Sequence, residues 1–239
     1  MYTKLGFFCA QVFVLLSNYN KYFCMASKIF LFIWMTAVIC FALLYPIPYI
    51  PALGDRARVL YFHVPTAWVT VIAFLISMVY SVQYLRKKDI LYDFKASGAA
   101  GLGMLFCILA TVTGAVWAKF NWGAFWNWDP RQTSIFLLLL IYGAYFALRS
   151  AIESEESRAK LSAVYSILSF ITVPFFIFIL PRIVESLHPD PIINKSGKIN
   201  MDTGMLLIFL SSLAGFTGIF VWMLNLRIRI AKIELSKNL

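Results

Sequence analysis

The sequence predicts an all-α integral membrane protein with six transmembrane helices. Hydrophobic residues make up 61% of the 239 residues and charged residues only 13%, whereas soluble domains carry about 25% charged residues. The mean hydropathy is correspondingly high, at +0.78. Alternating strand patterns are absent from the sequence, and lipid admits only helices or closed barrels as spanning structures. The long apolar segments therefore predict helices.

Six apolar segments are the candidate spans, because a helix crosses a hydrocarbon core of roughly 30 Å with about 17 to 25 residues. They cover residues 29–45, 64–85, 96–117, 135–148, 161–180 and 205–224. The fourth is short unless it includes residues 132–134. Residues 1–24 contain an apolar stretch that is too short to span. We expect them to be an N-terminal extension or an over-called start, and residues 25–239 to form one six-helix membrane domain.

The basic residues predict the orientation of these helices. The termini and the alternate loops that share their side carry fourteen of the 21 Lys and Arg residues. The opposite loops carry the other seven, which are Arg56, Arg58, Lys119, Arg131, Arg182, Lys195 and Lys198. Cytoplasmic loops are enriched in Lys and Arg, so both termini are predicted to be cytoplasmic. The net charge of +10 thus reflects topology and does not indicate nucleic-acid binding.

The segment between the third and fourth spans has an unusual aromatic composition. Residues 122–134, here the tryptophan segment, read WGAFWNWDPRQTS, and four of the seven Trp residues of the chain lie between 117 and 128. Aromatic rings that only fill a core are normally spread along the buried elements, although Trp also forms interfacial belts in membrane proteins. Together with the charges of Asp129 and Arg131, this clustering favours a platform for a flat, anionic ligand on the outer side.

Asp129 also has a structural interpretation. Asp is a preferred N-cap, Pro130 suits the first helical position, and Gln132 completes a capping-box pattern. The tetrapeptide therefore predicts the start of the fourth helix, which would hold the Trp residues on a fixed turn.

The only two His residues, His63 and His188, are both predicted on the outer side, the same side as the tryptophan segment. Pro65 is expected in the first turn of the second span. Two His cannot complete a tetrahedral zinc site, and the four Cys contain no CxxC or CxxCH pattern. Haem needs only two axial ligands, because the porphyrin supplies the other four. Its propionates require cations, which Arg131 and the other outer basic residues could supply.

The tryptophan segment resembles the "WWD" signature of the haem-handling proteins of cytochrome c biogenesis. Over about residues 26–230 the chain is similar to the cytochrome c maturation protein C (CcmC) family: six spans, HVP at residues 63–65, the signature between spans three and four, and a second His in the next outer loop. It departs from the family pattern at Phe125, where Trp is common, and at Pro130, where Ala is often found. Neither change removes a candidate ligand.

The resemblance implies a multi-pass protein of the bacterial inner membrane that binds haem non-covalently (b-type) on the periplasmic side. It implies delivery of the haem to the periplasmic chaperone CcmE, together with the ABC transporter subunits CcmA and CcmB and the small membrane protein CcmD. In this interpretation His63 and His188 are axial ligands. The remaining haem-binding residues would be Trp122, Trp126, Trp128, Asp129 and Arg131.

Two alternatives remain open at this point. The chain could be an enzyme, a haem lyase of the CcsA or CcmF type that attaches haem to apocytochrome c, but its outer loops are short and those relatives carry more spans. It could instead be a b-type electron carrier, but such carriers usually hold haem within the helix bundle. We therefore expect a delivery subunit that is not an enzyme.

Overall fold

The computed structural model describes residues 25–48, 50, 53–189 and 201–237, and these contain no β-strand. Six helical segments in the described residues are long and apolar enough to cross a membrane. The helices are α1 (Met25–Leu44), α2 (Leu60–Lys87), α3 (Ile90–Trp122), α4 (Pro130–Ala151), α5 (Glu155–Pro174), the short α6 (Leu180–Ile183) and α7 (Thr203–Lys237). A 3-10 helix, Gly54–Val59, leads directly into α2.

The predicted fold class is confirmed, and the protein is an all-helical, multi-pass membrane protein. Most of the helices extend beyond the apolar segments that predicted them, because less apolar residues continue the helices at their ends. The fourth helix begins at Pro130, as the capping pattern indicated, and so reaches a spanning length of 22 residues. The cytoplasmic placement of the termini stays a prediction, and residues 1–24 lie outside the described part of the chain.

Helices α2 and α3 form the centre of the bundle. They pack against each other, and α2 also contacts α5 and α7. The main apolar cores lie along this pair, one facing α7 through Phe106 and Phe220 and the other facing α4 and α5 through Phe74 and Tyr142. Helix α1 lies against α7, where the Trp34 Nε1–H donates to the Ser211 carbonyl at 2.9 Å. Among the six candidate spans, α2 and α3 therefore have the largest buried share.

A buried ion pair joins α3 to α4 near one end of the bundle. The Arg149 guanidinium donates two hydrogen bonds to the Asp93 carboxylate, at 2.6 and 2.8 Å. The side chains are only 14% and 4% exposed. Two parallel bonds of this kind fix orientation as well as distance, so the pair holds the register of α3 against α4.

The start of α2 differs from the prediction. Pro65 was expected in the first turn, but α2 begins at Leu60 and Pro65 lies inside the helix. Pro has no N–H, so the carbonyl four residues earlier, that of Tyr61, loses its helical partner. The Ser212 hydroxyl of α7 donates a short hydrogen bond to this carbonyl instead. The turn that carries His63 is thereby tied to α7.

Helix α5 ends in a wider turn. After Pro174 the chain continues as a π-helical turn, Phe175–Ile179, and then as α6. Such turns are rare and occur frequently at functional sites. Phe176, Ile177 and Phe178 of this turn line the cavity described next.

Candidate functional site

A cavity of about 230 Å³ lies between α2, α3, α4 and the end of α5, and both His residues line it. Ala67 and Val71 of α2 and Ala110 and Ala115 of α3 contribute to the apolar part of its wall. The basic residues Arg131 and Arg182 also line it. An apolar cavity with a few converging polar groups is the usual form of a ligand site.

His63 is presented by the first turn of α2. Its Nδ1 lies 3.0 Å from the Thr113 hydroxyl of α3, and its backbone carbonyl accepts from the Thr66 hydroxyl at 2.7 Å. Gly114 makes room for the ring, because a Cβ atom at residue 114 would lie 2.7 Å from the imidazole Cε1. The absence of a side chain at this one residue of α3 thus allows His63 to pack against that helix.

His188 lies in the segment that follows α6 and is bound to the tryptophan segment through Asp129. The imidazole Nδ1 is 2.9 Å from Asp129 Oδ1, and the Asp129 side chain is 1% exposed. The same carboxylate accepts from the Leu187 N–H at 2.7 Å and from the Ser186 hydroxyl at 3.0 Å. One buried carboxylate therefore fixes three consecutive residues, Ser186, Leu187 and His188.

Asp129 combines this function with the predicted cap. Its Oδ1 accepts from the Arg131 N–H at 2.9 Å at the start of α4. Burial acts to raise the pKa of the Asp129 carboxyl, but the hydrogen bonds from His188 and from the Arg131 and Leu187 N–H groups outweigh it. The pKa is held below its ordinary value of 3.8, so the carboxyl is ionised at neutral pH.

The capping box differs from its predicted form. A capping-box Gln accepts from the N–H of the N-cap residue, but Gln132 Oε1 accepts instead from the Asn127 N–H at 2.8 Å. Its Nε2 donates to the Phe125 carbonyl at 3.2 Å. The side chain is long enough to reach past the cap, and it braces the loop that carries the Trp residues.

The Trp residues take different positions around the site. Trp122 packs edge to face on the His188 ring, with ring centroids 4.8 Å apart, and Trp117 lies 5.8 Å from the same ring. Trp126 and Trp117 line the cavity. Trp128 is 71% exposed with a φ of 56°, and its ring meets Trp126 at 5.9 Å outside the cavity wall.

The described basic residues of the predicted outer side take different positions, and Lys195 and Lys198 lie outside the described residues. Arg56 donates to the Phe120 carbonyl, Arg58 to the Ala42 and Tyr45 carbonyls and to Asp55, and Lys119 to the Gly123 carbonyl. These three side chains stabilise loops and helix ends. Arg131 and Arg182 line the cavity.

Two residues of the cavity wall carry buried polar atoms. Trp117 Nε1 and Ser134 Oγ are buried, and neither has a hydrogen-bond partner among the described residues. Buried polar groups are nearly always hydrogen-bonded, so these two atoms are exceptions, although neither has accessible surface toward the cavity. The sequence pointed to Trp117 only as one of the four Trp residues between 117 and 128. No sequence pattern indicated a role for Thr113 or Gly114, because Thr and Gly within an apolar segment are ordinary residues of a packed helix.

The family that the tryptophan segment resembles also matches nearly the whole chain. The sequence pattern of the CcmC family, described as "Heme exporter protein C", matches residues 9–238. Proteins of that name from Rhodobacter capsulatus and Haemophilus influenzae are 30% and 29% identical to this chain, and each match covers 74% of the chain and 73% and 71% of the relative.

Two other matches cover a smaller share of the related protein. The "Heme exporter protein C" of Bradyrhizobium diazoefficiens is 30% identical over 168 residues, which are 70% of this chain and 64% of that relative, or just under two thirds of its length. The "Cytochrome c biogenesis protein CcsA" of Pelargonium hortorum is 31% identical over only 98 residues, or 41% of this chain and 30% of that protein.

Proposed function

The chain belongs to the "Heme exporter protein C" (CcmC) family, and on that basis we propose that it binds haem between His63 and His188 and delivers it for the biogenesis of c-type cytochromes. The observation that carries this proposal is the meeting of the only two His residues at one cavity beside the tryptophan segment. In this proposal the protein is a membrane subunit that transfers haem, and haem is the cargo that it carries.

The hydrogen bonds of the two imidazoles support axial ligation. Each ring uses Nδ1 for a contact within the protein, with Thr113 in one case and Asp129 in the other. A metal-bound His almost always engages its second nitrogen in this way, which fixes the tautomer and the ring orientation. Nε2 of both rings is then the nitrogen that binds iron.

The rest of the wall suits the porphyrin and its charges. The indole rings of Trp117 and Trp126 offer apolar surface, and Arg131 and Arg182 would pair with the two propionates. The proposed haem-binding set thus keeps Trp122, Trp126, Asp129 and Arg131. Trp128 contributes by supporting Trp126 from outside.

The cavity is small for a porphyrin. Pockets that enclose small molecules have volumes of about 300 to 1,000 Å³, and this cavity measures about 230 Å³. A porphyrin would be only partly enclosed, which leaves an edge accessible to a receiving protein. We propose that this protein is the periplasmic chaperone CcmE, that the site faces the periplasm, and that CcmA, CcmB and CcmD complete the assembly in the inner membrane.

The lyase alternative has weaker support. The resemblance to the CcsA protein is short, and no observation on the described residues favours bond formation to a cytochrome. A delivery subunit that is not an enzyme accounts for the site with fewer assumptions.

A spectroscopic titration tests the proposal. The full chain in detergent is titrated with ferric haem, and we expect the low-spin spectrum of a six-coordinate haem with two His ligands. The loaded protein should then transfer its haem to the purified soluble domain of the chaperone. A five-coordinate or high-spin spectrum at saturation, or loaded protein that never yields haem to the chaperone, would refute the proposal.

Gly114 provides a smaller, local prediction. Gly114→Ala places a methyl group 2.7 Å from His63 Cε1, and overpacking of this kind costs about 1 to 3 kcal/mol. The methyl group should displace the His63 ring in the haem-free protein, and haem binding must then restore the position of the ring, so we expect the affinity for haem to fall about tenfold in the same titration. Gly143→Ala is the matched control, because a Cβ at residue 143 would have its nearest neighbour at an ordinary 3.8 Å. Equal affinities of the two variants would contradict this role of Gly114.

A further inference from the structure

We propose that the two axial imidazoles are unequal iron ligands: His63, which Thr113 positions, is the weaker one and yields first when a competing ligand arrives. This inference rests on the proposed function, because it assumes haem between His63 and His188. It goes further by assigning an order of ligand exchange and a positioning role to a residue of α3.

The His188 ring is bonded to a charged acceptor. Its Nδ1 lies 2.9 Å from the Asp129 carboxylate, whose other contacts are all donors: the Arg131 and Leu187 N–H groups and the Ser186 hydroxyl. A carboxylate partner increases the basicity of a metal-bound imidazole. His188 is therefore the electron-rich ligand and forms the stronger bond to iron.

The His63 ring is bonded to a neutral hydroxyl that donates its own hydrogen to another group. The Thr113 hydroxyl donates its one hydrogen to the Leu109 carbonyl at 2.7 Å. Its oxygen is then left to accept from His63 Nδ1–H at 3.0 Å. This bond fixes the tautomer that exposes the Nε2 lone pair, but a neutral hydroxyl withdraws the proton far less than a carboxylate does, and hydrogen bonds with an ionised partner are roughly twice as strong.

The positions of the two ligands in the fold would by themselves suggest the opposite order, because His63 is on a helix and His188 is in a loop. The contacts of Asp129 outweigh this difference. That carboxylate holds Ser186 and Leu187 as well as His188, so movement of His188 would break several buried, charge-assisted bonds. Movement of His63 away from iron would instead break the neutral hydrogen bond with Thr113.

Single substitutions test the order directly. The full chain in detergent is loaded with ferric haem, and we expect His63→Ala to retain haem on His188 and His188→Ala to lose most of it to a haem-scavenging protein. Cyanide is the competing ligand. The spectrum of the wild-type cyanide complex should coincide with the spectrum of the cyanide complex of His63→Ala, in which His188 is the only His. A wild-type complex that matches His188→Ala instead, or equal haem loss from both variants, would overturn the inference.

Thr113 is tested separately, so that the result does not depend on the His variants. Thr113→Val keeps the shape and removes the acceptor, and cyanide affinity should rise roughly three- to tenfold, the range of one neutral hydrogen bond. Thr113→Ser should restore the wild-type value. Thr217→Val is the matched control, because the Thr217 hydroxyl also donates to the carbonyl four residues earlier at 2.7 Å but contacts no His. Cyanide affinity that is equal in Thr113→Val and the wild type would refute the role of Thr113.

The two proposals fail in different ways. If the wild-type chain gives no six-coordinate spectrum with haem, the proposed function is wrong and the order of exchange falls with it. If that spectrum forms and depends on both His residues, but the variants respond equally, only the inequality of the ligands is wrong.

Discussion

Replacing both His63 and His188 by Ala is expected to reduce bound haem to the background of an unloaded preparation. These are the only two His residues of the chain, and both line the same cavity, so no other imidazole could take their place. Haem content after purification, and after titration with ferric haem, is the measurement. Transfer to the chaperone should fall to background as well.

The control for this experiment is chemical rescue. In the corresponding Gly variants, free imidazole can occupy the space of each missing ring, and it should restore the low-spin spectrum. Full haem content in the double Ala variant would contradict axial ligation by His. Elution volume identifies a variant that aggregates. Comparison of its helical circular dichroism with that of the wild type identifies a variant that has lost its fold.

Replacing Asp129 by Ala is expected to lower haem affinity about 10- to 100-fold, the usual effect of removing a hydrogen-bond partner of a metal ligand. The substitution leaves His188 Nδ1, the Leu187 N–H and the Ser186 hydroxyl without their shared acceptor. It also removes the cap of α4, which costs about 0.5 to 2 kcal/mol. Haem titration measures the first effect and thermal unfolding of the haem-free protein measures the second.

Two comparison variants separate the effects of Asp129. Asn is as good an N-cap as Asp, so Asp129→Asn should retain most of the stability but still weaken haem binding. Asp89→Ala is the matched control for the cap, because Asp89 accepts from the Leu91 N–H at 2.9 Å at the start of α3 in the same way and has no His partner. Haem affinity reduced as much by Asp89→Ala as by Asp129→Ala would mean that capping alone explains the result.

The transmembrane helices could be predicted from the sequence because each one is a long apolar segment whose signal is local. The helix ends were predicted less well, and Pro65 shows why. A Pro usually marks the first turn of a helix, but here Ser212 of α7 supplies the hydrogen bond that the interior Pro cannot. A compensation from a helix so distant along the chain leaves no local pattern.

The residue types of the candidate site could be predicted from the sequence, but the contacts between these residues could not. The rarity of His and the density of Trp indicated which residue types matter. The bond between Asp129 and His188, and the contact of His63 with Thr113 and Gly114, join parts of the chain at least 50 residues apart. The cap motif was sufficient to explain Asp129 locally, so nothing in the sequence required a second partner for its carboxylate.

The π-helical turn Phe175–Ile179 has a consequence for the phase of the helix that contains it. A π turn accommodates one more residue than an α turn, and one residue corresponds to about 100° of rotation about the helix axis. Everything that follows the turn, including Arg182, therefore faces a direction different from the one that an uninterrupted α-helix would give it. The position of Arg182 in the cavity wall therefore depends on this turn as well as on the orientation of α5 before it.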